Sequence, residues 1–353
     1  MRSLGARRNS LLACVIALLM TWGGSAPASA AVATLSGSSS GTIWQVLRTG
    51  NNSAQAYGVN ASQKHVISKW TRAGGWVQQV RPNAFQNQKL APSGRWAAHS
   101  VDQNHTSPFE ISRWSGSSWS PVAVPQPSDA YNGYGYFRSI TDSWAFGTYT
   151  TGNGDGLAHI LRFDGNAWQA TDTSAVGDFN VQGGDGRWSW GRYDNGGFYF
   201  APKILRWDGS EWSPTRLPPL PEGAEISAVR GRVAIGSITK YTSDRYPTTT
   251  SPLLLAWNGT AWERRTIAYA QPSNSRVEMW GIDGNLAIGS LWTGKNYSNS
   301  QALVLGFNGK SWSRVAAPTT AANLTTISSN LVGGRDARGF LLWSWNGRSF
   351  ARV

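Results

Sequence analysis

The chain has 353 residues, with 32 Lys or Arg against 19 Asp or Glu, a net charge of +13, 20 Trp, 40 Gly and a single Cys. One cysteine excludes a disulfide scaffold. The basic residues are scattered rather than gathered into the Lys/Arg cluster of a nucleic-acid binder, so no specific nucleic-acid partner is expected. The excess charge reads as a solvated cationic surface or, more sharply, as attraction to an anionic polymer such as a wall polysaccharide.

Residues 1–30 read as a secretory signal peptide. Arg2, Arg7 and Arg8 precede an apolar run from Leu11 to Met20, and Ala28-Ser29-Ala30 sets cleavage before Ala31. The run is too short for a membrane span, so the mature protein is expected to be secreted and extracellular. Arg7-Arg8-Asn9 admits twin-arginine export, although Ser10 stands where an apolar residue is usual. Leu11-Leu12-Ala13-Cys14 resembles a lipobox, but it opens the apolar region instead of closing it, which favours ordinary cleavage. Losing Arg2, Arg7 and Arg8 takes the net charge from +13 to +10, and losing Cys14 leaves no cysteine. Residues 31–41 are a Ser/Gly-rich linker. Its Gly37-Ser38-Ser39-Ser40-Gly41 matches the Gly-x-Ser-x-Gly elbow of esterases without the flanking strand and helix that motif needs, and reads as low complexity.

From Thr42 a repeat takes over. Ile204-Leu205-Arg206-Trp207-Asp208-Gly209-Ser210-Glu211-Trp212 recurs as Ile160 to Trp168, Leu254 to Trp262 and Val304 to Trp312, with weaker copies at Val66 to Trp76, Ile111 to Trp119 and Leu342 to Phe350. Asp-Gly or Asn-Gly between apolar runs signals a hairpin. With Asp208 and Gly209 as a two-residue type I′ turn, Trp207 faces Ser210 and Trp212 faces Leu205. Leu205, Trp207 and Trp212 then share one face, with the aromatics packed diagonally. An isolated hairpin cannot bury that face, so neighbouring repeats must stack on it. The first aromatics (Trp70, Trp114, Phe163, Trp207, Trp257, Phe307, Trp345) recur at intervals centred in the forties, the period of four-stranded propeller blades. Upstream of the hairpins lie short runs such as Trp144-Ala145-Phe146-Gly147, Val233-Ala234-Ile235-Gly236 and Leu286-Ala287-Ile288-Gly289, whose small residues suit strands near a crowded axis. Residues 42–353 are therefore expected to form an all-β, seven-bladed β-propeller of four-stranded antiparallel blades, closed by packing blade one on blade seven without exchanging a strand.

With strands A to D counted from axis to rim, the B–C connections are the long, varied ones: Asp102 to Ser107, Tyr149 to Gly156, Asp194 to Phe200, Lys240 to Ser251 and Trp292 to Ser300. Loops of varied length on a rigid scaffold are where function usually lies. Tyr193, Tyr199, Tyr241, Tyr246, Trp292 and Tyr297 stand there among amides and hydroxyls, a combination that stacks on and hydrogen-bonds to sugar rings; the same aromatics also serve to pin their own loops. Of four histidines, His99 and His105 flank one such loop with Asp102, and His105 joins Tyr199, Tyr241, Tyr246, Trp292 and Tyr297 as a candidate ligand contact. No metal-ligand spacing appears and no cofactor is implied. Asn153-Gly154-Asp155-Gly156 lacks the alternating ligands of a calcium loop and reads as a plain turn.

A Trp-Ala-Phe-Gly-type strand, a variable loop and Ile-Leu-Arg-[Trp/Phe]-Asp-Gly-x-x-Trp together resemble secreted bacterial β-propeller repeat proteins of the kelch-like and galactose-oxidase-like kind, over nearly the whole mature chain. The resemblance implies a fold and export rather than a chemistry. Gly165 to Trp168 and Gly209 to Trp212 resemble the Gly-x-x-Trp half of the sialidase Asp-box, with an aromatic at the position of the box's Asp. The copper site implied by galactose oxidase needs a cross-linked cysteine, which the mature chain lacks. The expected function is a monomeric, non-enzymatic binding module, lectin-like or engaged with an anionic cell-surface polymer through its B–C loop face. The alternatives are an extracellular glycan hydrolase or lyase with its site at the central pocket, and a protein-binding scaffold.

Overall fold

The computed structural model describes residues 42–50, 53–59, 65–71, 75–80, 89–91, 93–99, 109–193, 200–241, 247–294, 299–318, 323–336 and 339–352. All of them belong to the unit Thr34–Val353. This unit is a β-propeller: among the described residues, apart from one 3-10 turn at Ser174–Val176, the elements are strands. Except for the short strand Ile267–Ala268, which pairs in parallel with Trp312 and Ser313, the pairings group them into four-stranded antiparallel meanders over 42–80, 89–122, 130–170, 180–214, 224–264, 276–315 and 323–352, referred to in that order as blades 1 to 7. Blades 5 and 6 are joined into one sheet by a parallel bridge, Thr250↔Arg276.

The hairpin that closes each blade differs from the expected two-residue turn. Trp207 pairs directly with Trp212, and Leu205 with Pro214, so the loop has four residues. Gly209 is the loop's one residue at positive φ, +120°, whereas a type I′ turn needs two. Asp208 is selected for another reason. Its Oδ1 accepts from the backbone N–H groups of Ser210 and Glu211 at 2.8 and 3.0 Å, an Asx turn that caps the bend. Asp164, Asn258, Asn308 and Asn346 do the same in their blades. The shared face survives the change of register, because Leu205 lies two residues before Trp207 and Trp212 lies opposite it.

Each such face is covered by the neighbouring blade. Trp144, at the start of strand B in blade 3, stands edge-on between Trp207 and Trp212 of blade 4, with ring centroids 5.1 and 5.3 Å away. Trp96 meets Phe163 and Trp168 in the same way, and Trp188 meets Trp257 and Trp262. Further round, Val233 and Leu286 replace the tryptophan against Phe307/Trp312 and Trp345/Phe350. Trp96, Trp168, Trp188, Trp212 and Trp262 are at most 2% exposed. Burying one such ring contributes roughly 4–6 kcal/mol as an upper bound. Strand A of blade 1 (Thr42–Gly50) packs on strands A and B of blade 7, and Val46 N donates to Thr326 Oγ1 at 3.1 Å. Blades 1 and 7 keep all four strands each from their own stretch of chain.

The small residues upstream of the hairpins have a specific cause. Strand A carries a β-bulge in blades 1, 3, 4, 5, 6 and 7. In blades 3, 4, 5 and 6 the bulge presses a strand A carbonyl against strand B, where a Cβ on Gly147, Gly191, Gly236 or Gly289 would meet the oxygen of Tyr136, Asn180, Glu225 or Glu278.

Candidate functional site

The bulges decide what faces the axis. A bulged residue leaves the in-and-out alternation of its strand and is re-aimed. Among the residues skipped by the pairing in strand A are Arg138, Gln182, Ser227, Trp280 and Thr325. Arg138, Ser227, Trp280 and Thr325 line a cavity of about 300 Å³ to which every blade contributes, joined by Lys89, Trp190, Arg230 and Asp283. Its lining comes largely from the C-terminal halves of the A strands, the end of the axis that carries the A–B turns.

Carboxylates at this end are engaged in ties between blades. Asp142 accepts from Ser93 N at 3.2 Å and from Ser93 Oγ, linking blades 3 and 2. Asp185 accepts from Arg187 N and Trp188 N and pairs with Arg230 of blade 5 at 3.7 Å. Asp283 accepts from Ser329 N of blade 7 at 2.7 Å. Lys89 and Arg138 have no carboxylate partner among the described residues. The Arg138 guanidinium lies 4.4 Å from the Tyr136 ring centroid and donates to Tyr136 Oη at 3.2 Å. Lys89 opens to the solvent of the channel, yet the walls hold its ammonium below the ordinary lysine pKa, first by desolvation and then through the charge of Arg138. Trp280 is 45% exposed, and its Nε1 donates to Ser290 Oγ at 3.3 Å, which fixes the plane of the ring.

The opposite end carries the B–C connections. Tyr199, Tyr246, Tyr297 and His105, with Asp102, lie outside the described residues. Tyr241 ends strand B of blade 5 and is 37% exposed. Trp292 lies next to the end of strand B in blade 6 and is half-buried, paired with Ser300 and Arg276. The strip Thr239↔Thr250↔Arg276↔Trp292 runs across both blades and brings the two aromatics to one end of the joined sheet. This connection is shorter than expected: pairing continues to Tyr241↔Pro247, because the Thr-rich stretch after Pro247 favours strand over loop. Residues 151–156 are a plain turn, with Thr151 N donating to Asp155 O.

Sequence reading missed Phe200, 47% exposed beside the Arg192 guanidinium at 4.4 Å, and the whole axial set. The available signal was a residue out of character after the apolar residue of each A strand, as in Phe137-Arg138 and Met279-Trp280. No group of three or more potential metal ligands occurs among the described residues. None of their helices is long and apolar enough to cross a membrane.

No family model matches the chain, and none of the curated proteins matches it in sequence. Solved structures do match. The β-propeller domain of the Trilobed protease from Pyrococcus furiosus is similar at a TM-score of 0.51 and 8% identity, over 88% of this chain and 97% of that one. A prolyl endopeptidase is similar at 0.57 and 12% identity, over 89% of this chain and 49% of that one. Puromycin hydrolase is similar at 0.51 and 14% identity, over 88% and 53%. This chain spans about half the length of the last two. At such identities the likeness shows the β-propeller fold alone. The first two are a protease propeller and a prolyl endopeptidase, not the kelch-like or galactose-oxidase-like propellers that the repeat resembles.

Proposed function

We propose that this chain is an exported, monomeric binding module of lectin type, cleaved before Ala31, that holds a glycan or an anionic cell-surface polymer at the B–C end of its blades. The observation that carries binding over hydrolysis is the state of the axial carboxylates. Glycosidases work through two carboxyl groups facing the scissile bond. Asp283 is the one carboxylate among the described residues of the cavity lining, and it is engaged with Ser329 N. Aromatic, hydroxyl and cationic groups make up the rest of the polar lining, which suits holding a ligand better than cleaving it. At the B–C end, exposed Tyr241 offers a platform to a sugar ring, and Trp292 lies at the same end of the next blade. The basic and then apolar pattern from Arg2 to Met20, followed by Ala28-Ser29-Ala30, supports export.

The test is retention of the protein from Ala31 onward on neutral and acidic polysaccharides at low and high salt, with the supernatant assayed for reducing ends. Salt-resistant retention on a neutral glycan, lost in Tyr241→Ala, is the expected result. Retention that salt abolishes on every polymer reduces the binding to the net charge. Released sugar replaces the proposal with the hydrolase.

A further inference from the structure

The cavity at the A–B end belongs to a different part of the molecule from the B–C surface, and its chemistry is specific. We propose that the axial cavity is a second binding site, for a small ring-bearing ligand with one carboxylate or phosphate group, whose oxyanion lies between Lys89 and Arg138 and whose ring stacks on Trp280. The proposal does not depend on the B–C end binding glycan.

Three observations converge on it. The first is an uncompensated pair of cations. Asp142 and Asp185 are held in turn-to-turn ties, Asp185 takes up Arg230, and Asp283 caps Ser329. Lys89 and Arg138 are left facing one channel with no carboxylate for either among the described residues. Two like charges held together in a narrow channel repel, and a bound oxyanion turns that repulsion into two charge-assisted hydrogen bonds. Burial first, and then the charge of Arg138, holds the Lys89 ammonium below the ordinary lysine pKa.

The second is the platform. A tryptophan on the inner strand of a propeller would ordinarily point between blades, as Val277 and Met279 do at 0% and 1% exposure. The bulge between Met279 and Gly281 turns Trp280 out instead, at 45% exposure. Its Nε1 bond to Ser290 Oγ and the positioning of Arg138 by Tyr136 mean that neither group must be ordered when the ligand arrives.

The third is size and polarity. About 300 Å³ is at the small end of ligand sites and accommodates one hexose-sized ring rather than a polymer. Ser227 and Thr325 place side-chain hydroxyls on the same wall, where ring hydroxyls find partners.

The test is isothermal titration calorimetry of the full chain with galacturonate, galactose 6-phosphate, galactose and inorganic phosphate. The expected result is one saturable site per chain for at least one of the two acidic sugars, with galactose binding about tenfold or more weaker. Which acidic sugar is preferred separates carboxylate from phosphate as the recognised group. Lys89→Gln and Arg138→Gln are each expected to weaken it about tenfold. Trp280→Ala weakens the sugars while leaving inorganic phosphate unchanged. If Lys89→Gln does not fold, Arg138→Gln carries the same comparison. Equal affinity for galactose and the acidic sugars, or affinity unchanged in both charge variants, overturns the proposal. So does the lack of a saturable site for either acidic sugar.

Discussion

The indole of Trp188, which opens strand B of blade 4, meets that of Trp262 in blade 5 edge to face, with ring centroids 5.0 Å apart. The relationship repeats around the ring wherever a tryptophan opens strand B, so a single indole holds two blades together. Trp188→Ala is expected to cost about 3–5 kcal/mol, because blades fixed on both sides cannot collapse into the space. Urea unfolding should show a lowered midpoint, while Val77→Ala, at a side chain 65% exposed, should stay within about 0.5 kcal/mol of the parent.

Two glycines separate backbone freedom from backbone approach. Gly259 has φ +116° and open space where a Cβ would go, so Gly259→Ala is expected to cost about 1 kcal/mol, from conformation alone. Gly236 has an ordinary φ, but a Cβ there would overlap the carbonyl oxygen of Glu225. Gly236→Ala should therefore cost more, about 2–4 kcal/mol, through displacement of the strand A bulge. Comparing the two unfolding midpoints checks the order.

Val181 N donates to Thr148 Oγ1 at 2.7 Å, one of the side-chain bonds that tie strand B of one blade to strand A of the next. Both groups are buried. Thr148→Val keeps the shape and orphans the Val181 N–H, at an expected cost of about 1–3 kcal/mol. Thr148→Ser keeps the acceptor and should recover most of it. Amide hydrogen exchange at Val181 would report the loss directly.

His159 is 6% exposed, with Nε2 donating to Pro125 O at 3.0 Å and the Phe109 ring 4.4 Å away. Burial pulls its pKa from 6.5 down to about 4, against a smaller upward pull from Pro125 O. The unfolded chain binds the proton more readily, so His159 favours the folded state above pH 6.5 and loses that contribution as pH falls towards 4. The full effect is on the order of 3 kcal/mol. His159→Gln should flatten the pH dependence of the urea midpoint in that window; an unchanged slope refutes the assignment.

The repeat, its four-stranded unit and the face shared by Leu205, Trp207 and Trp212 were legible in the sequence, because they rest on short-range chemistry: an Asx-Gly bend, alternation along a strand and aromatics a fixed distance apart. The turn register was not, since Asp-Gly suits a four-residue Asx loop as well as a type I′ turn, and only the pairing of Trp207 with Trp212 decides between them. The axial cavity was not legible either. Arg138 and Trp280 reach it because bulges re-aim them, and Lys89 is left uncompensated because Asp142, Asp185 and Asp283 are drawn into ties between blades. These are consequences of closing the ring, where Val46 N finds Thr326 Oγ1 across 280 residues of chain. The sequence by itself determined what each blade is. Packing the inner strands around one axis decided which side chains meet there.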